Sequence, residues 1–212
     1  MPPAADPVRD QTVGAELDRR QQIIQAAARA FARKGYHATT VKDIAAEADL
    51  SPGTLYLYFP GKRDILTAFL EHGMGLAREY VETIDDLDPH EALVAVIEER
   101  LGFLRDHRDL VKVLISEALF DPELASRLED QIAGQLDSFI ADLMERWAPG
   151  ITDQRRLRLA ARTFQAQIIF WGVLWPTIAP NQTAALLVTP EELATILLSG
   201  IEGLGGQVQA DE

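Results

Sequence analysis

Apolar residues recur at intervals of three and four along nearly the whole chain, and that period buries one face of an α-helix. The stretch RQQIIQAAARAFARKG places Ile23, Ile24, Ala27, Ala30 and Phe31 on one face, and Gly35 stops the helix. No β-branched alternation is long enough to argue for a sheet. Proline punctuates the remainder at Pro89, Pro122, Pro149, Pro176, Pro180 and Pro190. Between these breaks the spacing predicts helices over 62–83, 89–106, 108–119, 122–147, 153–175 and 190–204. The expected fold is all-α, in three parts. Residues 1–18, with three prolines and little periodicity, read as a flexible N-terminal arm. Residues 19–63 form a three-helix unit, and residues 64–212 form a larger helical domain.

Within the small unit two short helices are separated by a tight turn. Thr39 or Thr40 caps the first, with Asp43 positioned to return the bond. Ser51 caps the second, and Pro52 occupies its first position. Ile44, Ala45, Leu55 and Phe59 would face the preceding helix, which makes 40–59 a helix-turn-helix. The outer face is then Pro52, Gly53, Thr54, Tyr56, Leu57 and Tyr58, too polar for a core and too aromatic for ordinary surface. A second helix of this kind lies in a major groove of double-stranded DNA with its N-terminal residues towards the bases. Hydroxyls of Ser51, Thr54, Tyr56 and Tyr58 suit phosphates, Gly53 admits close backbone approach, and Leu57 suits a thymine methyl. Lys62 adds a cation at the start of the next helix.

Charge points the same way. Residues 19–63 hold eight basic and three acidic residues, a net +5, whereas the whole chain carries −13. A basic segment on an acidic body meets a polyanion at one end only. The alternative is a helical interaction protein that presents the same hairpin to a protein partner.

The segment RRQQIIQAAARAFARKGYHATTVKDIAAEADLSPGTLYLYFPGKRDIL resembles, without gaps, the DNA-binding domain of the tetracycline-repressor (TetR) family of bacterial transcription regulators. The resemblance implies a homodimer that binds a palindromic operator, usually as a repressor released by a small-molecule effector. It implies DNA contacts at Thr40, Ser51, Gly53, Thr54, Tyr56, Tyr58 and Lys62. Two positions depart from the pattern: Asp49 stands where the turn usually has glycine, and Gly61 where the fourth helix usually has a serine-like cap.

In the larger domain, helix 153–175 carries one stripe of Leu157, Ala161, Phe164, Ile168, Trp171 and Trp175 and another of Leu159, Ala166, Phe170 and Val173. A helix apolar nearly all round must be covered on both faces. The last helix repeats the spacing with Leu193, Ile196, Leu197, Gly200, Ile201 and Leu204. Two helices from each subunit would build a four-helix bundle, so Phe164, Ile168, Trp171, Trp175 and the six residues of the last helix are expected at a dimer interface. Phe69, Phe103, Phe120 and Phe139, with His107 and Gln167 as polar groups, are the expected lining of an effector pocket.

Other chemistry is not legible. The chain has no cysteine, none of its four histidines follows a glutamate by three residues, and DDLD (85–88) precedes Pro89 as a helix boundary. No metal, cofactor or enzymatic activity is expected. The longest apolar run, IIFWGVLWPTIA (168–179), is shorter than the roughly 18–20 residues of a membrane span, and the expected location is cytoplasmic.

Overall fold

The computed structural model describes residues 7–84, 86–130, 154–181 and 188–206, and the side chains of 16–200 within those ranges except 89, 154, 156, 157 and 161. Every regular element among the described residues is a helix. The first, α1 (Pro7–Lys34), begins inside the segment expected to be an arm. Pro7 sits at the first helical position, where its missing N–H costs nothing. From there to Asp18, Gly14 is the one strong helix breaker. Pro7 therefore starts a helix rather than preventing one, which corrects the expectation for 7–18. Gly35, at φ 76°, ends α1 in the left-handed region that glycine adopts without strain.

Next come α2 (Val41–Glu47) and α3 (Pro52–Tyr58). Thr40 is the cap of α2: its Oγ1 accepts from the Asp43 amide at 3.2 Å, and Asp43 Oδ2 accepts from the Thr40 amide at 2.9 Å. Thr39 has another task. It is buried, and its hydroxyl reaches the Gly35 and Ala30 carbonyls at 2.7 and 3.2 Å, closing the C-terminal turn of α1. Asp49 carries the turn between α2 and α3 at φ 55°, a conformation that a short polar side chain tolerates.

Helix α4 (Lys62–Thr83) starts at Gly61 without a side-chain cap and runs through the 63/64 boundary without a break. Its Ile65 and Leu66 join Ile23, Ile24, Ala27, Phe31, Ile44, Ala45, Leu55 and Phe59 in one core. Fully burying Leu55 and Phe59 contributes about 1.5–3 kcal/mol each, enough to fix which face of α3 turns inward.

The body adds α5 (Pro89–Asp106) and α6 (Arg108–Ala118), then α7, described over residues 122–130. After these come α8 (Gln154–Ile169) and α9 (Pro190–Gly206). Asp88 caps α5 by accepting from the His90 and Glu91 amides, so the last acid of DDLD serves the helix start. Beyond Ile169 the chain continues as a π-helical turn (Phe170–Leu174) and a last α turn (Trp175–Ile178). The helix expected to end at Trp175, before Pro176, continues past the proline. The widened π register opens the ladder beside the Gly172 carbonyl, where the proline ring would otherwise clash, and the helix passes through. Helices α5, α8 and α9 pack on one another, with α5 against the π turn. The approach there is close, since a Cβ on Gly172 would lie 2.7 Å from Leu104 Cδ1, and α4 comes as near to α5, where a Cβ on Gly73 would lie 2.6 Å from the Phe103 ring.

Candidate DNA interface and its link to the body

Burial of Leu55 and Phe59 leaves the opposite face of α3 to solvent. Ser51, Pro52 and Gly53 are exposed, Tyr56 is 54% exposed and Leu57 is 83% exposed. Ser51 Oγ accepts from the Thr54 amide at 3.0 Å and lies 2.8 Å from Thr54 Oγ1, so two hydroxyls sit together at the head of the helix. Exposed Thr40 adds a third hydroxyl from α2. A Cβ added to Gly53 would meet only Ser51 Oγ, at 3.7 Å, so nothing inside the protein requires glycine there. Tyr58 differs from its neighbours: it is half-buried and packs on the core, and its carbonyl accepts from Arg20 at 3.1 Å. The Arg20 guanidinium also covers the Phe59 ring at 4.4 Å, tying α1 to the end of α3.

Lys62 lies at this surface but its ammonium is occupied. Nζ donates to the carbonyls of Tyr36, His37 and Thr39 at 2.6, 3.2 and 3.1 Å, and sits 4.3 Å from the Tyr36 ring centroid. Burial holds its pKa below the usual lysine range. All three ammonium protons thus brace the loop that presents Thr40. Tyr36 beneath it is pushed up to about 12, mainly by burial and then by Glu117.

The positive charge of the head is largely matched from within. Glu47 accepts from both Arg29 and Arg33, and Asp43 pairs with Lys34 at 2.5 Å. Hydrogen bonds from Arg33 and then Arg29 hold Glu47 at about 2, and those from Lys34 and Thr40 hold Asp43 well below the usual carboxylate range. These pairs join residues 9 to 18 positions apart, beyond the reach of local spacing rules. Helix α6 meets the head at His37, whose Nε2 lies 3.2 Å from Glu117. Arg63 reaches across to Asp121 and, at 2.8 Å, to Glu123.

The expected dimer residues divide into two groups. Phe164, Ile168, Leu193 and Leu197 are buried in the protomer's own core, which removes them from a face free to meet a partner. The face left open is one step round each helix: Leu159, Phe170, Leu174, Ile178 and Ile196 are exposed, with Gly200 beside them. Trp171 and Trp175 are half-buried between the two. The side chains of Ile201 and Leu204 lie outside the described residues. Spacing gave the stripes but not which one faced inward.

Of the expected pocket residues, Phe69, Phe103 and His107 come together. Phe103 stacks on His107 at 4.3 Å and on Phe69 at 5.7 Å. Phe120 is 88% exposed at the α6–α7 turn, so its place in a pocket lining is corrected; only two residues separate Ala118, which ends α6, from Asp121, which caps α7, and the turn projects outward. Phe139 lies outside the described residues. Gln167 is half-buried, and its Oε1, with Trp175 Nε1 and Arg108 Nε, is a buried polar atom without a hydrogen-bond partner. No helix among the described residues is long and apolar enough to cross a membrane.

Residues 23–69 match the family model described as bacterial regulatory proteins, tetR family. The HTH-type transcriptional repressor KstR2 of Rhodococcus jostii is 33% identical over 147 residues, spanning 64% of this chain and 72% of that protein. A fatty acid metabolism regulator protein of Bacillus subtilis is 28% identical across 85% of this chain and 94% of its own length. The uncharacterized regulator YerO of Bacillus subtilis is 32% identical over 104 residues, a match confined to 36% of that protein and 47% of this chain. Among solved structures, the fatty acid degradation regulator FadR from Bacillus halodurans superposes with a TM-score of 0.70 at 25% identity, over 86% of this chain and 95% of that one. FadR from Bacillus subtilis in complex with stearoyl-CoA does so with a TM-score of 0.64 at 25% identity, over 85% and 96%. A helix-turn-helix head with an exposed reading face, joined through α4 to an all-helical body and matched in sequence and fold by these regulators, places the chain in the TetR family of ligand-responsive, DNA-binding bacterial transcription regulators.

Proposed function

We propose that this protein is a cytoplasmic, homodimeric repressor that binds an inverted-repeat operator and is released by a fatty acyl thioester. The observation that carries the reading is the exposed face of α3, where hydroxyls, an unobstructed glycine and Leu57 stand over a fully packed inner face. Two such helices enter successive major grooves about 34–36 Å apart. The exposed apolar stripe of Leu159, Phe170, Leu174, Ile178 and Ile196 supports pairing with a second copy through α8 and α9. The reading assigns no catalytic step, in keeping with relatives that are regulators.

The effector class rests on the matches to fatty-acid regulators, which align over most of their length, one of them a structure in complex with stearoyl-CoA. Buried polar atoms of Arg108, Gln167 and Trp175 without a hydrogen-bond partner support a ligand that brings a polar group as well as an apolar chain. A signal reaches the head through Glu117 against His37 and through Arg63 against Asp121 and Glu123. Release requires only that the effector favour the arrangement that binds DNA poorly.

The test is selection of duplexes from a random pool by the purified protein, followed by titration of the complex with stearoyl-CoA. Enrichment of an inverted repeat that stearoyl-CoA displaces supports the full reading. Enrichment without displacement removes the acyl thioester and leaves the regulator. No enrichment at low salt removes the DNA reading and favours a protein partner for the hairpin.

A further inference from the structure

The head's eight basic residues are not equally available to a polyanion. Arg29 and Arg33 share Glu47, Lys34 holds Asp43, and Arg63 holds Asp121 and Glu123. Arg20 binds the Tyr58 carbonyl and covers Phe59, and Lys62 gives its ammonium to three carbonyls. Arg19 is hydrogen-bonded to Gln22 at 2.7 Å. Among the described residues of the head, Lys42 is the basic side chain whose charged group has no partner within the protein, and it is exposed.

Its place on α2 gives that freedom a direction. Successive helical residues turn by about 100°, and Ile44, Ala45 and Ala48 fix the inward side. Asp43 and Glu47 lie on the flank that meets α1, where their cationic partners are. Lys42 and Ala46 therefore occupy the other flank, open to solvent and beginning beside exposed Thr40. A phosphate recruiting Arg29 or Arg33 instead would take from Glu47 one of the two cations it pairs with, leaving its charge less compensated near a polyanion.

We propose that Lys42 is the phosphate-binding cation of each head, and that the salt dependence of operator binding rests mainly on it, while the α3 face supplies uncharged contacts to phosphates and bases. This rests on the DNA-binding reading above.

The experiment is equilibrium binding of the full-length protein to its selected operator between roughly 50 and 200 mM salt, with wild type, Lys42→Gln and Lys42→Arg. Each phosphate contact contributes about 0.9 to the slope of log affinity against log salt, so two heads contribute about 1.8. Lys42→Gln should lower the slope by about that amount. Its affinity deficit should shrink about tenfold from the low to the high salt, and Lys42→Arg should keep the wild-type slope. A Lys42→Gln protein that melts normally and keeps the wild-type slope overturns the proposal. So does a slope that falls instead in Arg29→Gln or Arg33→Gln. A wild-type protein that binds no duplex at any salt overturns the DNA reading itself, a result distinct from either.

Discussion

Replacing Gly53 with alanine should move stability and DNA affinity in opposite directions. Gly53 is exposed at the second position of α3, its φ is not positive, and the nearest atom to an added Cβ is Ser51 Oγ at 3.7 Å, an ordinary contact. Alanine restricts the unfolded chain more than glycine does, so the free protein should gain about 0.4–1 kcal/mol. The added methyl stands on the face turned away from Leu55 and Phe59, where the backbone would approach the duplex. Loss of one hydrogen bond to a charged phosphate costs about 1.5–3 kcal/mol, or roughly ten- to a hundredfold in affinity at each half-site. Urea unfolding of the free protein and fluorescence anisotropy on a labelled operator measure the two quantities separately. A Gly53→Ala protein that unfolds at lower urea would show that glycine is needed by the fold. One that binds operator as tightly as wild type would show that DNA does not approach this backbone. Either result refutes the reasoning.

Leu57→Ala should leave the unfolding free energy from urea titration within about 0.5 kcal/mol of wild type, because the side chain is 83% exposed, while changing which bases are enriched in a duplex selection. Lys62→Ala should destabilise the free protein by about 2–3 kcal/mol, since three carbonyls lose a charged donor; unchanged unfolding would refute the brace. Glu47 has a folded pKa of about 2 against an ordinary 4.5, so its stabilising contribution is complete above about 4.5 and disappears as the pH falls towards 2. Urea midpoints of wild type and Glu47→Gln should converge over that interval, and parallel curves would disprove it. Leu174→Glu, on the open stripe of the π turn, should yield a folded monomer by sedimentation analysis; a dimer unchanged by this charge would move the interface elsewhere.

Sequence and structure divide the information at the range of the interaction. The caps, the turn and the inner faces of the head are local, settled within three or four residues. Thr40, Asp43, Ser51 and Pro52 thus announced their roles, and Asp49 took the left-handed turn its short side chain allows. Helix boundaries in the body followed the same logic at Asp88 and Pro89, and failed at Pro7 and Pro176, where proline was accommodated at a helix start and beside a π turn. The head's charge was countable in the chain, but its pairing was not. Glu47 finds Arg29 and Arg33, and Arg63 finds acids 58 and 60 positions away, only after the helices have packed.

The sequence by itself determined an all-helical chain with a DNA-reading hairpin, because period, capping and turn chemistry act over a single helical turn. Only the tertiary structure decided which stripe of α8 and α9 faces inward, that Phe120 points outward, and which cations remain free. Those outcomes depend on what each face meets, and two stripes of equal apolarity are indistinguishable until a neighbour covers one of them.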